Sequence, residues 1–403
     1  MPIGYDPETM RVAYISPYQG PELLKNRPIL SNLGLAANVK MELISEALLR
    51  KGHQVEILSQ GEVVERQVRF FPAFSESTPF HPLVPVNYAS ALPIKRLNGF
   101  WSTSRTLALF KARHRADPFD IVIIYNLKDP QVACARYALR NLGLPVVLEY
   151  EDDAFVDVFG NKEGSVFNRF RIKSAQSLLK SISGCIGVSP FLLSRVNSSL
   201  PKLLLRGVVG DEYIELGRRD TDKRNNWVVF SGTHYRSKGL EPLIAAWKLA
   251  KPPGWELHVA GRGEMTKALE REAADCKSIV FHGVLNRAEN AQLLGSSKIG
   301  INPHELSATP GNVFAFKIIE CLAAGTHVIT TPMGTLEPEI EAGITYMPDN
   351  TPETIAATLT SVIRDRRYDG RAVEAVHKTY GHEGVAQALD QLFQEVLVRH
   401  RKI

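Results

Sequence analysis

Lys317 and Glu320 are the only charges in Val313-Phe314-Ala315-Phe316-Lys317-Ile318-Ile319-Glu320-Cys321-Leu322-Ala323-Ala324. Three residues apart, they share one face of a helix. Pro310-Gly311 breaks the chain beforehand, Asn312 is a good N-cap, and Gly325 stands where a left-handed residue closes a helix. The apolar surround predicts that this helix is buried. Its first N–H groups and the dipole behind them form an anion site. Glu320 comes eight residues after Asn312, roughly 12 Å down a helix, close to the reach from a diphosphate to the ribose of the same nucleotide. One reading lays a nucleoside diphosphate along the helix, phosphates at its open end by Asn312 and ribose on Glu320. The other is an internal Lys317–Glu320 pair in a core helix, since unpaired buried charge is costly.

Other residues could share such a site. Lys238, in Ser231-Gly232-Thr233-His234-Tyr235-Arg236-Ser237-Lys238-Gly239, opens a helix. A cation there opposes the dipole, which favours an anionic partner over plain exposure. Arg262, between Gly261 and Gly263, could hold phosphate or stand in solvent. The turn is not a dinucleotide fingerprint, because Thr266 occupies the place of the third glycine. Glu151-Asp152-Asp153 follows directly on an apolar strand at 145–150, at the carboxyl end where doubly wound sheets bind ligands. These acids could bind sugar hydroxyls, hold Mg²⁺ or cap the next turn. Gly20 and Gly34, around the first strand-to-helix loop, are either site residues or turn and packing glycines.

The elements that must position these residues alternate. A strand at 11–17, a helical pattern at 31–51 and a strand at 55–58 form a βαβ unit, so the sheet is parallel. Residues 61–97, with five prolines from Pro72 to Pro93, read as a long irregular loop, an acceptor-side flap. The basic run with Lys95, Arg96, Arg105, Lys111, Arg113, His114 and Arg115 reads as a solvated helix face or as a patch for an anionic membrane or acceptor. Strands at 120–125, 145–150, 183–188 and 203–205, with a helix starting at Asp129, complete a domain at 1–206. Residues 207–226 lose periodicity, gain charge and read as a linker. Alternation resumes through 227–380, and 381–403 reads as a C-terminal helix that can cross back to the first domain. The expected fold class is α/β: two doubly wound Rossmann-like domains facing across a cleft.

Composition narrows the function. The 403 residues carry a net charge of +5, which suits small anionic ligands or an anionic membrane surface and is too weak to argue for nucleic acid. Cys134, Cys185, Cys276 and Cys321 are far apart, with no CxxC, and read as reduced core residues of a cytoplasmic protein. No apolar run approaches a membrane span, and residues 1–10 lack the apolar core of a signal peptide.

Three features occur in a telling order: Ser231-Gly232 with Lys238-Gly239, then Leu257-His258-Val259-Ala260-Gly261-Arg262-Gly263, then the 312–325 helix followed by Thr326-His327-Val328-Ile329-Thr330-Thr331, Gly334 and Glu337. Together they resemble the nucleotide-sugar half of retaining GT-B glycosyltransferases of family four. The first half is similar in layout, including Arg50-Lys51-Gly52-His53-Gln54-Val55. The resemblance implies transfer of a hexose from a UDP- or GDP-linked sugar to a glycan, lipid-linked or small-molecule acceptor, with retention and without a metal. It places Lys238 at the diphosphate, Glu320 on the ribose, and the N–H groups of Val313 and Phe314 at the phosphates. Gly34 matches a glycine near the acceptor-side loop. It leaves the departing phosphate as the group that takes the acceptor proton.

Departures stand out. Thr233 follows Gly232 where the family has arginine, and Asn312 replaces the first of its two glutamates. Lys317 offers a substitute cation. Asn126, Lys128 and Asp129 stand where the family carries a histidine after the Tyr125 strand. Two rival expectations follow. One is a sugar-nucleotide epimerase with Glu151, Asp152 and Asp153 as its acid/base groups. The other is a non-catalytic sugar-nucleotide-binding subunit, prompted by Thr233 and Asn312.

Overall fold

A computed structural model describes residues 9–27, 35–63, 68–78, 80–94, 97–152, 166–306, 314–334, 336–365, 367–368 and 370–401. The chain divides into two compact units, residues 1–208 with 385–403, and residues 209–384.

The first unit is built on β1 (Arg11–Ser16), β2 (Gln54–Ser59), β3 (Phe74–Ser77), β4 (Pro85–Tyr88), β5 (Ile121–Tyr125), β6 (Val146–Tyr150), β7 (Gly184–Gly187) and β8 (Lys202–Leu204). Their order across the sheet is β3-β4-β2-β1-β5-β6-β7-β8. Successive side chains leave a strand on opposite faces. Val12 and Tyr14 therefore enter one buried cluster, and Ala13 and Ile15 the other. Helices cover both faces, as a parallel sheet requires. The segment expected as an irregular loop at 61–97 in fact contributes β3 and β4. Pro85 opens β4, a position that spends no ladder N–H, and β3 pairs antiparallel at the sheet edge.

The second unit carries β9 (Asn225–Ser231), β10 (Glu256–Ala260), β11 (Ile279–Gly283), β12 (Ser297–Asn302), β13 (His327–Thr330) and β14 (Ile344–Tyr346), in the order β11-β10-β9-β12-β13-β14. All pairs are parallel. The order reverses between β9 and β12, the place where doubly wound sheets bind ligands.

Two expectations change. The stretch 207–226 is not a bare linker: its Asp211–Gly217 helix buries Tyr213, Ile214 and Leu216 in the second unit's core. Its helical spacing is only two turns long and is masked by Asp211, Glu212 and Glu215. The helix expected from Asn312 is described only as Lys317–Ala323, so Lys317 and Glu320 both lie in its first turn. Phe314 precedes it outside regular secondary structure. The stop is as expected: Gly325 is left-handed (φ 78°), and the N–H groups of Gly325 and Thr326 donate to the Leu322 and Cys321 carbonyls at 2.9 Å.

The helix His382–His400 delivers Val385, Leu389, Leu392, Phe393 and Val396 to the first unit's core. Among the described residues no helix is long and apolar enough to cross a membrane.

Candidate functional site

Three strand ends in the second unit converge. β9 runs into Gly232, β10 into Gly261, and β12 into Pro303-His304. Gly232 has φ 152°, and a Cβ there would stand 2.7 Å from the Nζ of Lys317. Only glycine lets that amine come so close. Gly261 faces the Gly232 carbonyl so tightly that a Cβ would overlap it. His234 locks the turn, with its Nδ1 3.0 Å from the Thr266 hydroxyl, which in turn accepts from the Gly263 N–H at 2.9 Å. Thr266 is therefore a strut of this turn.

Lys238 ends a short 3₁₀ turn, Arg236–Lys238. Its Nζ lies 3.0 Å from His304 Nε2, and His304 Nδ1 lies 2.9 Å from the Glu305 carbonyl. A neutral imidazole satisfies both by donating from Nδ1 and accepting at Nε2. The Glu305 N–H donates to the Ser237 carbonyl at 2.9 Å, so the two loops are tied together. His304 was not foreseen: a lone histidine after a proline at a strand end carries no pattern.

Lys317 is the centre. Its Nζ sits 3.8 Å from the centroid of the Phe230 ring, is closed off from solvent, and has no hydrogen-bond partner among the described residues. The internal Lys317–Glu320 pair is therefore not formed. Burial, reinforced by the charge of Lys238, pushes the Lys317 ammonium from 10.5 down to about 7. Burial also lowers Lys238. His304 is lowered by burial first, then by both lysines. Two amines and an imidazole thus share one recess and suppress one another's positive charge, the electrostatic signature of an anion site.

Glu320, one turn on, is pushed up to about 7 by burial, with Lys317, Tyr213 and Arg287 pulling the other way. Behind it runs a polar relay. The Ser231 hydroxyl donates to Asn290 Oδ1 at 2.6 Å, and Asn290 Nδ2 donates to the Tyr213 hydroxyl at 3.0 Å. Arg287 pairs with Glu212. None of Tyr213, Asn290 or His304 belonged to the sequence motifs.

The other expected residues fall elsewhere. Thr233 and Arg262 are exposed, and Arg262 contributes its carbonyl to His234 N–H at 3.2 Å. Phe314 is half-buried against the second unit's core. Asn312 and Val313 lie outside the described residues, as do Gly34 and Asp153. In the first unit, Gly20 caps the Pro21–Asn26 helix and donates its N–H to the Tyr88 hydroxyl at 2.9 Å. Asp129 pairs with Arg171 at 2.8 Å. Glu151 pairs with Lys40, which also donates to the Leu205 carbonyl at 3.0 Å. Asp152 accepts from Asn126 Nδ2 at 3.0 Å. Asn126 is left-handed (φ 58°), and its Oδ1 accepts from the N–H groups of Glu151 and Asp152 at 2.8 and 3.2 Å. Among the described residues no group of three or more His, Cys, Asp or Glu is arranged to hold a metal ion.

Residues 225–365, within the second unit, match the family described as "Glycosyl transferases group 1". No curated protein matches the chain. Among solved structures, the chain is similar to sucrose-phosphate synthase from Thermosynechococcus elongatus, with TM-score 0.66, 17% identity, and 97% of this chain and 100% of that one covered. It is also similar to Anabaena HepE in complex with UDP (0.64, 15%, 96% and 100%). A third is the catalytic domain of starch synthase IV from Arabidopsis thaliana bound to ADP and acarbose (0.63, 12%, 97% and 100%). The fold class is that of GT-B glycosyltransferases, two Rossmann-like bodies each with its own parallel sheet. The family match over residues 225–365 points to glycosyl transfer, and the neighbours share the fold.

Proposed function

We propose that the chain transfers a hexose from a nucleoside-diphosphate sugar, UDP- or GDP-linked, to an acceptor hydroxyl with retention of configuration. The observation that carries this is the buried, unpartnered Nζ of Lys317 beside Lys238 at the strand-order reversal. An amine so placed destabilises the empty fold and is satisfied by a ligand with more than one negative charge. The ligands of two structural neighbours, UDP and ADP, are of that class.

In the reaction the bond between the anomeric carbon and the diphosphate breaks, and a bond from that carbon to the acceptor oxygen forms. The acceptor proton passes to the departing phosphate, so no separate base is required. Negative charge grows on the diphosphate as it leaves. Lys238 and Lys317 meet that growth with fixed positive charge, in the role a divalent cation plays elsewhere. The N–H groups of Val313 and Phe314 add to it. Gly232, Gly261 and Arg262 line the approach, and Glu320 accepts the ribose hydroxyls. The acceptor, a glycan, a lipid-linked sugar or a small molecule, falls to the first unit. There Gly20 and the Asn126-ordered Glu151-Asp152 turn stand at the carboxyl ends of β1 and β6. A cytoplasmic setting suits such a donor.

A thermal-shift screen of nucleoside diphosphates and their sugars is the direct test, because a ligand of the native state raises its melting point. A shift with one base, followed by transfer in EDTA to an acceptor panel, is expected. No shift with any nucleotide, or an isomerised sugar nucleotide formed without acceptor, would reject the reading.

A further inference from the structure

The first unit carries an apolar patch that its own core does not explain. Val68 is 91% exposed, Phe70 53%, Leu97 51% and Phe100 78%. Their backbone is pinned rather than loose. Phe71 and Ala91 exchange antiparallel hydrogen bonds of 2.9 Å, with both side chains in a small buried cluster with Val63. Trp101, in the Asn98–Ala116 helix, donates its indole N–H to the Ser90 carbonyl at 3.2 Å. The Phe70 ring meets the Trp101 ring edge-on at 6.2 Å, which joins the two segments into one surface. Large side chains held outward on fixed backbone mark a contact surface.

Two arginines stand at the patch. Arg69 lies over the Phe71 ring at 5.1 Å and Arg105 over the Trp101 ring at 4.7 Å. Both residues are exposed, and neither meets a carboxylate among the described residues. The sequence from 95 to 116 contains no Asp or Glu and six Lys or Arg. Further along the helix, Arg113 is taken up by Glu56 at 2.6 Å and Lys111 lies over Tyr137 at 4.2 Å.

We infer that this surface docks on an anionic lipid bilayer, with Val68, Phe70, Leu97 and Phe100 entering the interface and Arg69 and Arg105 reaching its headgroups. Aliphatic Val68 and Leu97 give a nucleic acid base nothing to stack on, but transfer well into acyl chains. A second copy of the chain would set arginine against arginine. Arginines beside an apolar patch keep their guanidinium in the headgroup layer while their stems stay dry. The inference does not depend on the glycosyl-transfer reading.

Flotation of the full chain with vesicles tests it. Binding to phosphatidylcholine vesicles containing phosphatidylglycerol is expected, with little binding to phosphatidylcholine alone. The double variant Leu97→Ser/Phe100→Ser should weaken binding about tenfold or more, with an unchanged melting point because both side chains are exposed. Arg69→Glu/Arg105→Glu should abolish the preference for anionic vesicles. Absence of vesicle binding, equal binding to both vesicle types, or full binding by either variant overturns the inference. So does binding to heparin or RNA without binding to vesicles.

Discussion

Lys317 Nζ stands 3.8 Å from the centroid of Phe230, and no carboxylate among the described residues closes on it. The ring face compensates only part of the lost hydration, about 1–2 kcal/mol. The rest of the amine's bonding capacity is left for whatever enters the recess. Stability and affinity are therefore set against each other at one atom.

That opposition is measurable with Lys317→Met, which keeps the bulk and removes the charge. Donor affinity should fall roughly 10- to 100-fold, the worth of a charge-assisted hydrogen bond. The melting point should rise, because a buried unpaired cation has been replaced by an apolar chain. The unfolded amine holds its proton up to about 10.5, whereas the folded one releases it near 7. The burden on the fold is thus full below pH 7 and fades as pH climbs toward 10.5. The stabilisation should be larger at acid than at alkaline pH. A melting point lowered at every pH would contradict the assignment.

The same amine predicts a pH dependence of binding. A nucleoside-diphosphate sugar is esterified at both ends of its pyrophosphate, so the anion does not titrate near neutrality. Binding it favours the ammonium form of Lys317, so above pH 7 association takes up a proton and the dissociation constant rises, up to about tenfold per pH unit. Isothermal titration in buffers of different ionisation enthalpy would count that proton. Lys317→Arg, always charged, should flatten the profile. A profile identical in wild type and Lys317→Arg would remove Lys317 from the binding step.

Glu320 and Tyr213 should behave as one unit. Glu320→Gln should weaken nucleotide binding about 10-fold or more and erase any preference for ribose over dideoxyribose. Tyr213→Phe should produce a smaller loss in the same direction, since its hydroxyl steadies the carboxylate from the Asn290 side. Combined, the two losses should sum to less than their separate values. Full additivity would mean that Tyr213 does not act through Glu320.

In the first unit, Asn126 offers a contrast between two substitutions. Both Asn126→Ala and Asn126→Gly remove the bonds to Glu151 and Asp152. Only alanine also meets the left-handed backbone with a Cβ, at about 1–2 kcal/mol more. Asn126→Ala should therefore melt several degrees below Asn126→Gly. Equal melting points would show that the φ of 58° is not maintained in solution.

Much of this was readable in the chain because it rests on short-range pattern. β1, β5 and β6 are apolar runs bounded by loops, and the Gly325 stop is a single-residue signal. The order of Gly232, Lys238, Lys317 and Glu320 also marked a candidate site. The hidden parts depend on tertiary placement. β3 and β4 lay in a proline-rich stretch, and only the place of Pro85 at the opening of β4 makes that proline compatible with a strand. Tyr213 was lost in a charged stretch because two helical turns give too few periods. His304 gains its partner from a loop 66 residues away in sequence, a distance no local pattern spans.

The first unit is assembled from two separated pieces of chain, with Val385, Leu389, Leu392, Phe393 and Val396 filling its core from the far end. On the ribosome the second unit is therefore completed while the first still awaits its last helix. Nascent chains should hold an apolar groove open until the closing residues emerge, a window in which chaperones can bind. Residues 1–208 produced alone should retain that groove and aggregate, whereas joining 385–403 to them by a short linker should restore a soluble fold.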